Sequence, residues 1–330
     1  MTAFMDAADS NSRIVSPADR NLMRRLTGVI IFLILFTAAS TYLWRMYATK
    51  FSDITGNAKW IWPQHRLSRN VPVVFFAAHD FDLPPHRAWT RIKILGDPEY
   101  TLYFNGQRIG GRRAGDDHQL DVFDVSETAR DKGNRILVAV RSTNGVGGLI
   151  TAVDLKPEIE NYVVTNDQWK IFRRWDEDLR LRDVGAAEQP MVIGEPPVGR
   201  WNFLTARGGE RVEEPTRVLQ PRGVESYRTG LPTVEIVSGV AVAGEKPVRA
   251  TAYDFGPTTG RIRLVVDDDF SIATVVQART ANAPEELRLV EPATLPFVFA
   301  PGERTVTDPA ERSFRYVIVY GGRAHAEVLQ

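Results

Sequence analysis

The sequence contains no cysteine, and this absence excludes several kinds of chemistry. Without thiols the chain forms no disulfide, holds no metal through thiolate and has no cysteine nucleophile. Histidine is also scarce: the five histidines show no H-E-x-x-H or H-x-H spacing, so the pattern indicates no histidine metal site. The G-x-S-x-G motif of serine hydrolases and the G-x-x-x-x-G-K-[ST] phosphate loop are missing too. We therefore expect no metal, no cofactor and no enzymatic activity.

The chain has no excess of charge of either sign. Its 41 basic side chains balance its 41 acidic ones, so no overall field attracts nucleic acid, and we expect no nucleic-acid partner. A length of 330 residues is enough for two domains of ordinary size, each with its own core.

A single long hydrophobic run is present near the N-terminus. Leu26 to Trp44 carries no charged residue and, as a helix, is long enough to cross a hydrocarbon core of about 30 Å. We predict a cytoplasmic tail at 1–25 and a transmembrane helix at 26–47, whose outer end carries the interfacial aromatics Tyr42, Trp44 and Tyr47.

Basic residues predict the orientation of this helix. More of them precede the run than follow it closely, which places the N-terminus in the cytoplasm of a bacterial cell, the helix in the inner membrane and the bulk of the chain in the periplasm. A cleaved signal peptide is the alternative, since Ala38-Ala39-Ser40 has the small residues that suit cleavage. The run is longer than the usual apolar region of 7–15 residues in such peptides, which favours an uncleaved anchor.

After a neck at 48–58, the pattern changes to short β runs separated by turns. Asn105-Gly106 is the strongest turn signal, because both residues tolerate the positive φ that a type I′ hairpin turn requires. With no amphipathic helix between the runs, the pattern indicates an antiparallel sandwich over 59–175. The predicted strands are Val73–Phe81, Trp89–Leu95, Tyr100–Asn105, Gln119–Phe123 and Arg135–Arg141.

A Pro- and Gly-rich connection over 176–232 leads to a second β region at 233–330. There, Arg261–Val266 and Ser271–Gln277 flank the acidic turn Asp267-Asp268-Asp269 and predict a hairpin. The fold class is therefore mainly β: one transmembrane helix followed by two antiparallel, jelly-roll-like sandwiches. The other predicted strands of this region are Val234–Val242, Val248–Asp254, Ile272–Ala278, Leu287–Val290, Phe297–Ala300 and Phe314–Tyr320.

Several segments of both β regions resemble the β-sandwich modules of bacterial α-L-rhamnosidases. The segments are Lys59–Trp62, Phe75-Phe76, Phe81, Tyr100–Gly106 with Ile109-Gly110, Phe123–Val125, Gly133–Val140, Thr165–Lys170, Tyr253–Leu264 and Ser313–Val317. The resemblance implies a galactose-binding-like first module and, for the second, the sandwich that precedes the catalytic barrel. The helical barrel that carries the catalytic acids in those enzymes has no counterpart here, and a hydrophobic run stands at the front instead.

Paired carboxylates are the remaining candidates for chemistry. Hydrolysis of a glycoside needs two carboxylates held about 5–9.5 Å apart. Asp116-Asp117, Asp267–Asp269 and Glu285-Glu286 all lie in turn-like contexts, where solvated turns are the usual interpretation. Calcium is a further alternative for the first two groups, although neither has the spacing of a calcium loop.

Three residues are candidate ligand contacts. The resemblance implies that the edge near the Gly-rich segment Gly145–Gly148 can contribute to a sugar site, which makes Asn144 and Asn105 candidates. Trp89 could stack on a pyranose ring, although an aromatic residue within a strand is more often part of a core. The Gly-rich segment itself is predicted to be a tight strand connection.

Small residues in the membrane helix are candidates for helix packing. Helices associate in lipid through close packing at small residues, and here these are Gly28, Ala38, Ala39 and Ser40. The alternative is that they are incidental, since small residues are common in any membrane helix.

Two functional hypotheses follow. In the first, which we favour, the protein is a non-catalytic structural subunit of a larger membrane assembly, with integral membrane proteins as partners and a photosynthetic or respiratory complex as host. In the second, it is a membrane-anchored lectin that binds an envelope glycan. Fold alone does not choose between them.

Overall fold

The computed structural model describes residues 17–64, 70–113, 119–156, 159–201, 204–212, 215, 217–237, 240–288 and 294–330. The chain divides into two units, Met1–Lys50 and Phe51–Gln330, and we call the second the β unit. The acidic pair Asp116-Asp117 lies outside the described residues.

A single helix, α1, runs from Pro17 to Thr55. Its segment Arg25–Trp44 is, within the described part of the chain, the one helical stretch long and apolar enough to span a membrane. The side chains of this stretch are exposed, and the hydroxyls of Thr37 and Thr41 donate to the carbonyls of Leu33 and Thr37, which satisfies them inside the helix. The helix continues through most of the segment expected to form a neck.

The predicted mainly β fold is confirmed. The described strands are β1 (Trp60–Trp62), β2 (Val73–Phe81), β3 (Trp89–Asp97), β4 (Glu99–Phe104), β5 (Gln107–Arg113), β6 (Gln119–Asp124), β7 (Asn134–Ser142), β8 (Gly148–Lys156), β9 (Ile159–Val164), β10 (Lys170–Phe172), β11 (Met191–Gly194), β12 (Thr205–Gly208), β13 (Val218–Leu219), β14 (Gly223–Val237), β15 (Val240–Val266), β16 (Thr274–Ala281), β17 (Leu295–Phe299), β18 (Thr305–Thr307), β19 (Arg312–Tyr320) and β20 (Ala324–Leu329). Short 3₁₀ helices cover Glu177–Arg180 and Pro284–Arg288.

Two sheets form the first sandwich. One has the order β11-β1-β8-β3-β6-β12, with β9 beside β8, and the other has the order β10-β2-β7-β4-β5. Their facing side chains form an aromatic-rich core that includes Trp62, Phe75, Phe104 and Phe123. Strand β12 is parallel to β6, whereas the other described strand pairs are antiparallel.

The turn between β4 and β5 confirms the hairpin predicted at Asn105-Gly106. Phe104 pairs with Gln107 across the turn, and the φ angles of Asn105 and Gly106 are 50° and 88°. Both residues occupy the positive-φ conformation that the sequence indicates.

The second sandwich is one sheet that folds over itself. Its order is β13-β20-β15-β19-β16-β17, with β14 and β18 also beside β15. Strand β15 bends at an irregularity between Asp254 and Thr258. It pairs with β19 on both sides of this bend, as far as Gly260, and with β20 from Arg261 onwards. Gly256, within this bend, has a φ of 72°. The two halves of β15 therefore contribute to opposite layers, and Phe255 and Leu264 meet in one core.

Three predictions in the second β region are wrong. The hairpin across Asp267–Asp269 does not form, because β15 pairs with β14, β18, β19 and β20, whereas β16 pairs with β17 and β19. Val234–Val242 is not one strand, since β14 ends at Val237 and β15 begins at Val240. The described part of Leu287–Val290 belongs to a 3₁₀ helix. An acidic turn ends a strand but does not specify its partner.

The connection over 176–232 contributes strands to both sandwiches. Strands β11 and β12 extend the seven-stranded sheet, whereas β13 and the start of β14 belong to the second sandwich. Trp201, from the same connection, stacks on Trp60 with ring centroids 4.1 Å apart. This segment is therefore packed structure rather than a free linker.

Candidate functional site

A polar cleft of about 240 Å³ lies between the two sandwiches. We call it the inter-sandwich cleft. Both sandwiches supply side chains, and the segment after β10 closes one side. The lining residues are Thr101, Tyr103, Arg108, Arg141, Trp175, Glu177, Arg180, Val212, Pro215, Arg263, Glu303, Thr305, Thr307 and Leu329.

Strand alternation places the polar residues in this cleft. In β4, Leu102 faces the first core, so Thr101 and Tyr103 project from the other face of the sheet. In β18, Val306 faces the second core, so Thr305 and Thr307 project outwards. The cleft is thus built from the outer faces of both sandwiches.

The surface beside the cleft is apolar because two central strands are buried on both faces. In β2, Phe75 packs into the first core, whereas Phe76 packs into a second cluster with Ala300 of the second sandwich. Strand β7 alternates in the same way, with Val138 in the first core and Ala139 in the shared cluster. The two sandwiches therefore share a dry contact.

A buried ion pair fastens this contact at the edge of the cleft. Arg141 of β7 donates to both carboxylate oxygens of Glu303, with N–O distances of 2.6 and 3.1 Å. Both side chains are 6% exposed. Burial lowers the pKa of Arg141, but the carboxylates of Glu303 and Glu99 outweigh burial and raise it. Arg141 is therefore charged. Burial raises the pKa of Glu303 above its ordinary value, although the bidentate bonds from Arg141 and the Ala300 amide oppose this shift.

Two further guanidinium groups of the cleft also have carboxylate partners. Arg180 pairs with Glu177 within the 3₁₀ helix, and Arg263 of β15 pairs with Glu327 of β20, its Nε lying 2.8 Å from the carboxylate oxygen. In each of these pairs, as in that of Arg141 and Glu303, the carboxylate balances the charge of the guanidinium.

Arg108 differs from the other three arginines. Its Nε is buried and has no hydrogen-bond partner, and the side chain forms no ion pair with any residue that the structure describes. Burial lowers the pKa of Arg108, and the charges of Arg261 and Arg141 lower it further, while Tyr103 and Glu99 raise it. A buried guanidinium without an acceptor is costly unless water or an anion binds it.

A strand irregularity places Arg108 beside Tyr103. The pairing of β4 and β5 shifts between Leu102 and Tyr103, so that Tyr103 lies opposite Arg108 while Ile109 remains in the core. Bulges of this kind re-aim side chains, and cross-strand partners share one face of a sheet. Trp175 completes the aromatic wall, with its ring centroid 6.0 Å from that of Tyr103.

The carboxylates of the cleft are not arranged for acid–base catalysis. Glu303 and Glu177 each bond a guanidinium group, and Glu303 also accepts a hydrogen bond from the Ala300 amide at 3.0 Å. A glycosidase needs one carboxyl group free to donate a proton and a second free to attack or to activate water.

Asn105 lies at one end of the first sandwich, where its side chain holds local backbone. Its amide nitrogen donates to the Thr128 carbonyl at 2.7 Å and to Asn134 Oδ1 at 3.0 Å, and its Oδ1 accepts from the Arg135 amide at 2.9 Å. These bonds use most of its hydrogen-bonding capacity.

Asn144 follows the far end of β7, so the structure does not bring it near Asn105. Nine residues of β7 separate the two positions, a span of about 30 Å. Oδ1 of Asn144 accepts hydrogen bonds from Ser142 Oγ at 3.0 Å and from the Val146 amide at 3.1 Å. Close by, Gly147 and Gly148 complete the predicted tight connection from β7 to β8, where a Cβ atom would collide with Trp62 or Trp60.

Trp89 lies at the start of β3, at the same end of the sandwich as Asn105. One face of its ring is covered by the guanidinium of Arg91, 4.6 Å from the ring centroid. The residue also lines a shallow pocket of about 180 Å³ with His86 and Asp131. None of the three predicted contacts lines the inter-sandwich cleft.

The small residues of α1 do not form one stripe. At about 100° per residue, Gly28 and Ala39 lie on nearly the same side of the helix, whereas Ala38 and Ser40 are turned well away from it. All four are exposed.

The described acidic groups provide no metal site. Across the described ranges, no three His, Asp or Glu side chains converge as metal ligands. In the group Asp267–Asp269, for which calcium is the alternative, Asp269 pairs with Arg174 at 3.0 Å. In the other acidic pair, Glu286 accepts a hydrogen bond from the Asn282 amide at 2.8 Å.

Sequence reasoning missed the cleft because its parts are far apart in the chain. Arg141 and Glu303 are separated by 162 positions, and neither has a local motif. A usable signal existed in Val73–Ala78, where a strand that is apolar at every position indicates burial on both faces. That signal predicts a contact between sandwiches but not its arginines.

Comparisons with known proteins find solved structures only, since no family model and no curated protein matches the chain. An α-L-rhamnosidase from Dictyoglumus thermophilum matches 82% of this chain and 35% of its own, with 19% identity and a TM-score of 0.48. A GH78 family rhamnosidase of Bacillus sp. GL1 matches 82% of this chain and 33% of its own, with 18% identity and a TM-score of 0.45. This chain therefore spans about a third of the length of these enzymes.

A lectin from Pleurotus ostreatus, solved in complex with GalNAc, is also similar. It matches 83% of this chain and 77% of its own, with 16% identity and a TM-score of 0.37. The rhamnosidase neighbours confirm the resemblance predicted from the sequence. Neither they nor the lectin assigns a ligand or an activity to this chain.

Proposed function

We propose that the protein is a membrane-anchored, non-enzymatic binding protein whose β unit recognises a carbohydrate of the cell envelope in the inter-sandwich cleft. The observation that carries this proposal is the cleft itself. It joins an aromatic wall, Tyr103 and Trp175, to the hydroxyls of Thr305 and Thr307 and to the guanidinium of Arg108. Sites for polar ligands combine aromatic surface with a few placed polar groups in this way.

The anchor is the exposed apolar segment Arg25–Trp44. With basic residues concentrated before it, the positive-inside rule supports an N-terminus in the cytoplasm and a β unit outside the inner membrane. Reporter enzymes fused after Gln330 test this topology: a periplasm-specific reporter should be active, and a cytoplasm-specific one should not.

Binding is tested with the full chain in lipid nanodiscs and a panel of envelope glycans. We expect at least one glycan to bind, and Trp175→Ala to weaken binding by about fivefold or more through loss of aromatic contact. Trp89→Ala is the matched control, since Trp89 lies outside the cleft. Loss of binding in the Trp89 variant but not in the Trp175 variant would move the site to the end of the sandwich.

The absence of enzymatic activity is part of the proposal. It is supported by Glu303 and Glu177, the carboxylates of the cleft, each of which bonds a guanidinium. The wild-type chain should leave aryl α-rhamnosides and related glycosides intact. Turnover that Glu303→Gln abolishes would show that the cleft is an active site instead.

A second function, that of a structural subunit in a membrane assembly, is favoured by one observation. Among the described residues, 228–237 of β14 pair only with 240–249 of β15, so the hairpin extends about 30 Å beyond the other described strands. A two-stranded ribbon is marginally stable in water, which favours a partner. Nothing in the structure or the comparisons supports a photosynthetic or respiratory host.

This second function is tested by purification in mild detergent. If it holds, partner proteins should co-purify with the wild type, and replacing residues 229–248 with a short turn should remove them. The double variant Ala38→Leu, Ala39→Leu should weaken association further if α1 also packs on a partner helix. Identical co-purification in all variants would leave the lectin function alone.

A further inference from the structure

The charges in the inter-sandwich cleft do not balance. Arg141, Arg180 and Arg263 have Glu303, Glu177 and Glu327 as partners, which leaves Arg108 as the one lining arginine without a carboxylate among the described residues. The cleft therefore carries one positive charge in excess, on a group whose Nε is buried.

The surroundings of Arg108 increase its attraction for anions. Arg261 and Arg141 contribute positive charge close to it, whereas Glu99 is the carboxylate that opposes them. Glu99 is itself bonded to Arg113, with the Arg113 Nε 2.6 Å from its carboxylate oxygen. Arg113 offsets the charge of Glu99 as Glu303 offsets that of Arg141, so Arg261 keeps the field at Arg108 positive.

We propose that Arg108 binds the carboxylate of an acidic sugar residue, such as a uronic acid, within the inter-sandwich cleft. This rests on the proposed carbohydrate-binding function and specifies its ligand class. Because the Nε is buried, the edge of the guanidinium that a ligand can reach is the one formed by its two Nη groups, and this planar edge matches a carboxylate through two parallel hydrogen bonds. Thr305, Thr307 and the Tyr103 hydroxyl are placed for the sugar hydroxyls, and Trp175 for the ring.

The size and charge of the cleft favour this class over larger or more highly charged ligands. Its volume of about 240 Å³ is below the roughly 300–1,000 Å³ of pockets for drug-sized molecules, so one sugar residue fits it best. A carboxylate carries a single negative charge, which equals the excess on Arg108. A phosphate monoester carries a charge of about −1.5 to −2. The part of that charge that Arg108 does not balance would be repelled by Glu177 and Glu303.

The experiment uses the full chain in lipid nanodiscs and isothermal titration with oligogalacturonate, its neutral galactose counterpart and inorganic phosphate. Three variants are compared: Arg108→Gln, which loses the charge, Arg108→Lys, which keeps the charge but loses the fork, and Arg323→Gln, an exposed arginine outside the cleft. We expect wild type and Arg323→Gln to prefer the acidic ligand. Arg108→Gln should weaken acidic binding by roughly tenfold to hundredfold, Arg108→Lys by less, and neutral binding should change little.

The outcomes separate this inference from the proposed function. The inference fails if neutral and acidic saccharides bind equally, or if Arg108→Gln binds the acidic ligand as tightly as the wild type. In either case Arg108 does not select acidic sugars, and the carbohydrate-binding function still stands. If inorganic phosphate binds as tightly as the oligogalacturonate, the site takes anions rather than acidic sugars. If no saccharide binds, the carbohydrate-binding function fails as well. Far-UV circular dichroism of each variant confirms that lost binding is not lost fold.

Discussion

The two sandwiches close in different ways. The first packs two separate sheets face to face, and none of its strands exceeds nine residues. The second closes around one strand of 27 residues, β15, which pairs with β19 as far as Gly260 and with β20 from Arg261 onwards, and so belongs to both layers. In the first sandwich the layers are joined by many short connections, whereas in the second much of the joining depends on this one strand.

Because of this difference, local sequence patterns predict the strands of the first sandwich better than the strand pairing of the second. Strands of the first begin and end at turn residues that specify their own geometry, as at Asn105-Gly106. The partners of β15 lie up to 70 positions further along the chain, as Tyr320 does from Ala250, so the pairing depends on long-range packing. The shared contact around Phe76 and Ala300 nevertheless joins the two sandwiches.

The largest effect should come from the ion pair that fastens this contact. Arg141→Met leaves the buried carboxyl group of Glu303 without its partner, which should lower the free energy of unfolding by about 3–5 kcal/mol. Urea titration of the full chain in detergent, followed by tryptophan fluorescence, measures this. The double variant Arg141→Met, Glu303→Leu should recover most of the loss, because it leaves no unpaired charge. A double variant as unstable as the single one would show that the pair acts through shape rather than charge.

The next prediction asks whether the sandwiches unfold together. Phe75→Ala in the first core and Phe299→Ala in the second each remove a fully buried ring, at about 3–5 kcal/mol. If the shared contact couples the sandwiches, each variant should speed backbone hydrogen exchange in both. Faster exchange confined to the mutated sandwich would show two independent units.

The structure also shows how much the sequence reveals. Val73–Phe81 was predictable to the residue, because its apolar run ends at turn-forming residues. The pairing of β15 was not, because the Asp267–Asp269 turn has the same composition whether the chain folds back or crosses to another layer. Arg108 could not be predicted as a ligand group, since an arginine on a strand usually faces solvent. Its significance comes from the fact that no carboxylate among the described residues pairs with it, which depends on tertiary structure.

The bend of β15 provides a smaller effect. Gly256 has a φ of 72°, so Gly256→Ala should destabilise the second sandwich by about 1–2 kcal/mol. Gly256→Asn should cost less, because asparagine tolerates this conformation. Hydrogen exchange of β19 and β20 reports the change. Equal exchange in both variants would mean that the destabilisation comes from contact of the new side chain with Arg222, and not from the φ angle.

The smallest effect concerns the charge that holds the same bend. Asp254 accepts hydrogen bonds from the Gly256 amide at 2.8 Å and from Arg315 at 2.9 Å. The bond with Arg315 is the main reason why the pKa of Asp254 is lowered below its ordinary value of about 3.9. A carboxyl group with a lowered pKa in the folded state stabilises the fold above its unfolded pKa, and that contribution is lost as the pH falls through the folded pKa.

Asp254→Asn should therefore be slightly less stable than the wild type at pH 7, and the difference should shrink below about pH 4 and vanish in stronger acid. The side chains of Asp254 and Arg315 are 26% and 39% exposed, so solvent screening keeps the effect small. Urea midpoints at pH 7, 5 and 3 measure it. Asparagine retains an acceptor for the Gly256 amide, so a difference that stays constant with pH would assign the stabilisation to the turn geometry. A difference that disappears in acid would assign the stabilisation to the charge of Asp254. The bend of the second sandwich would then be held by the exposed ion pair of Asp254 with Arg315.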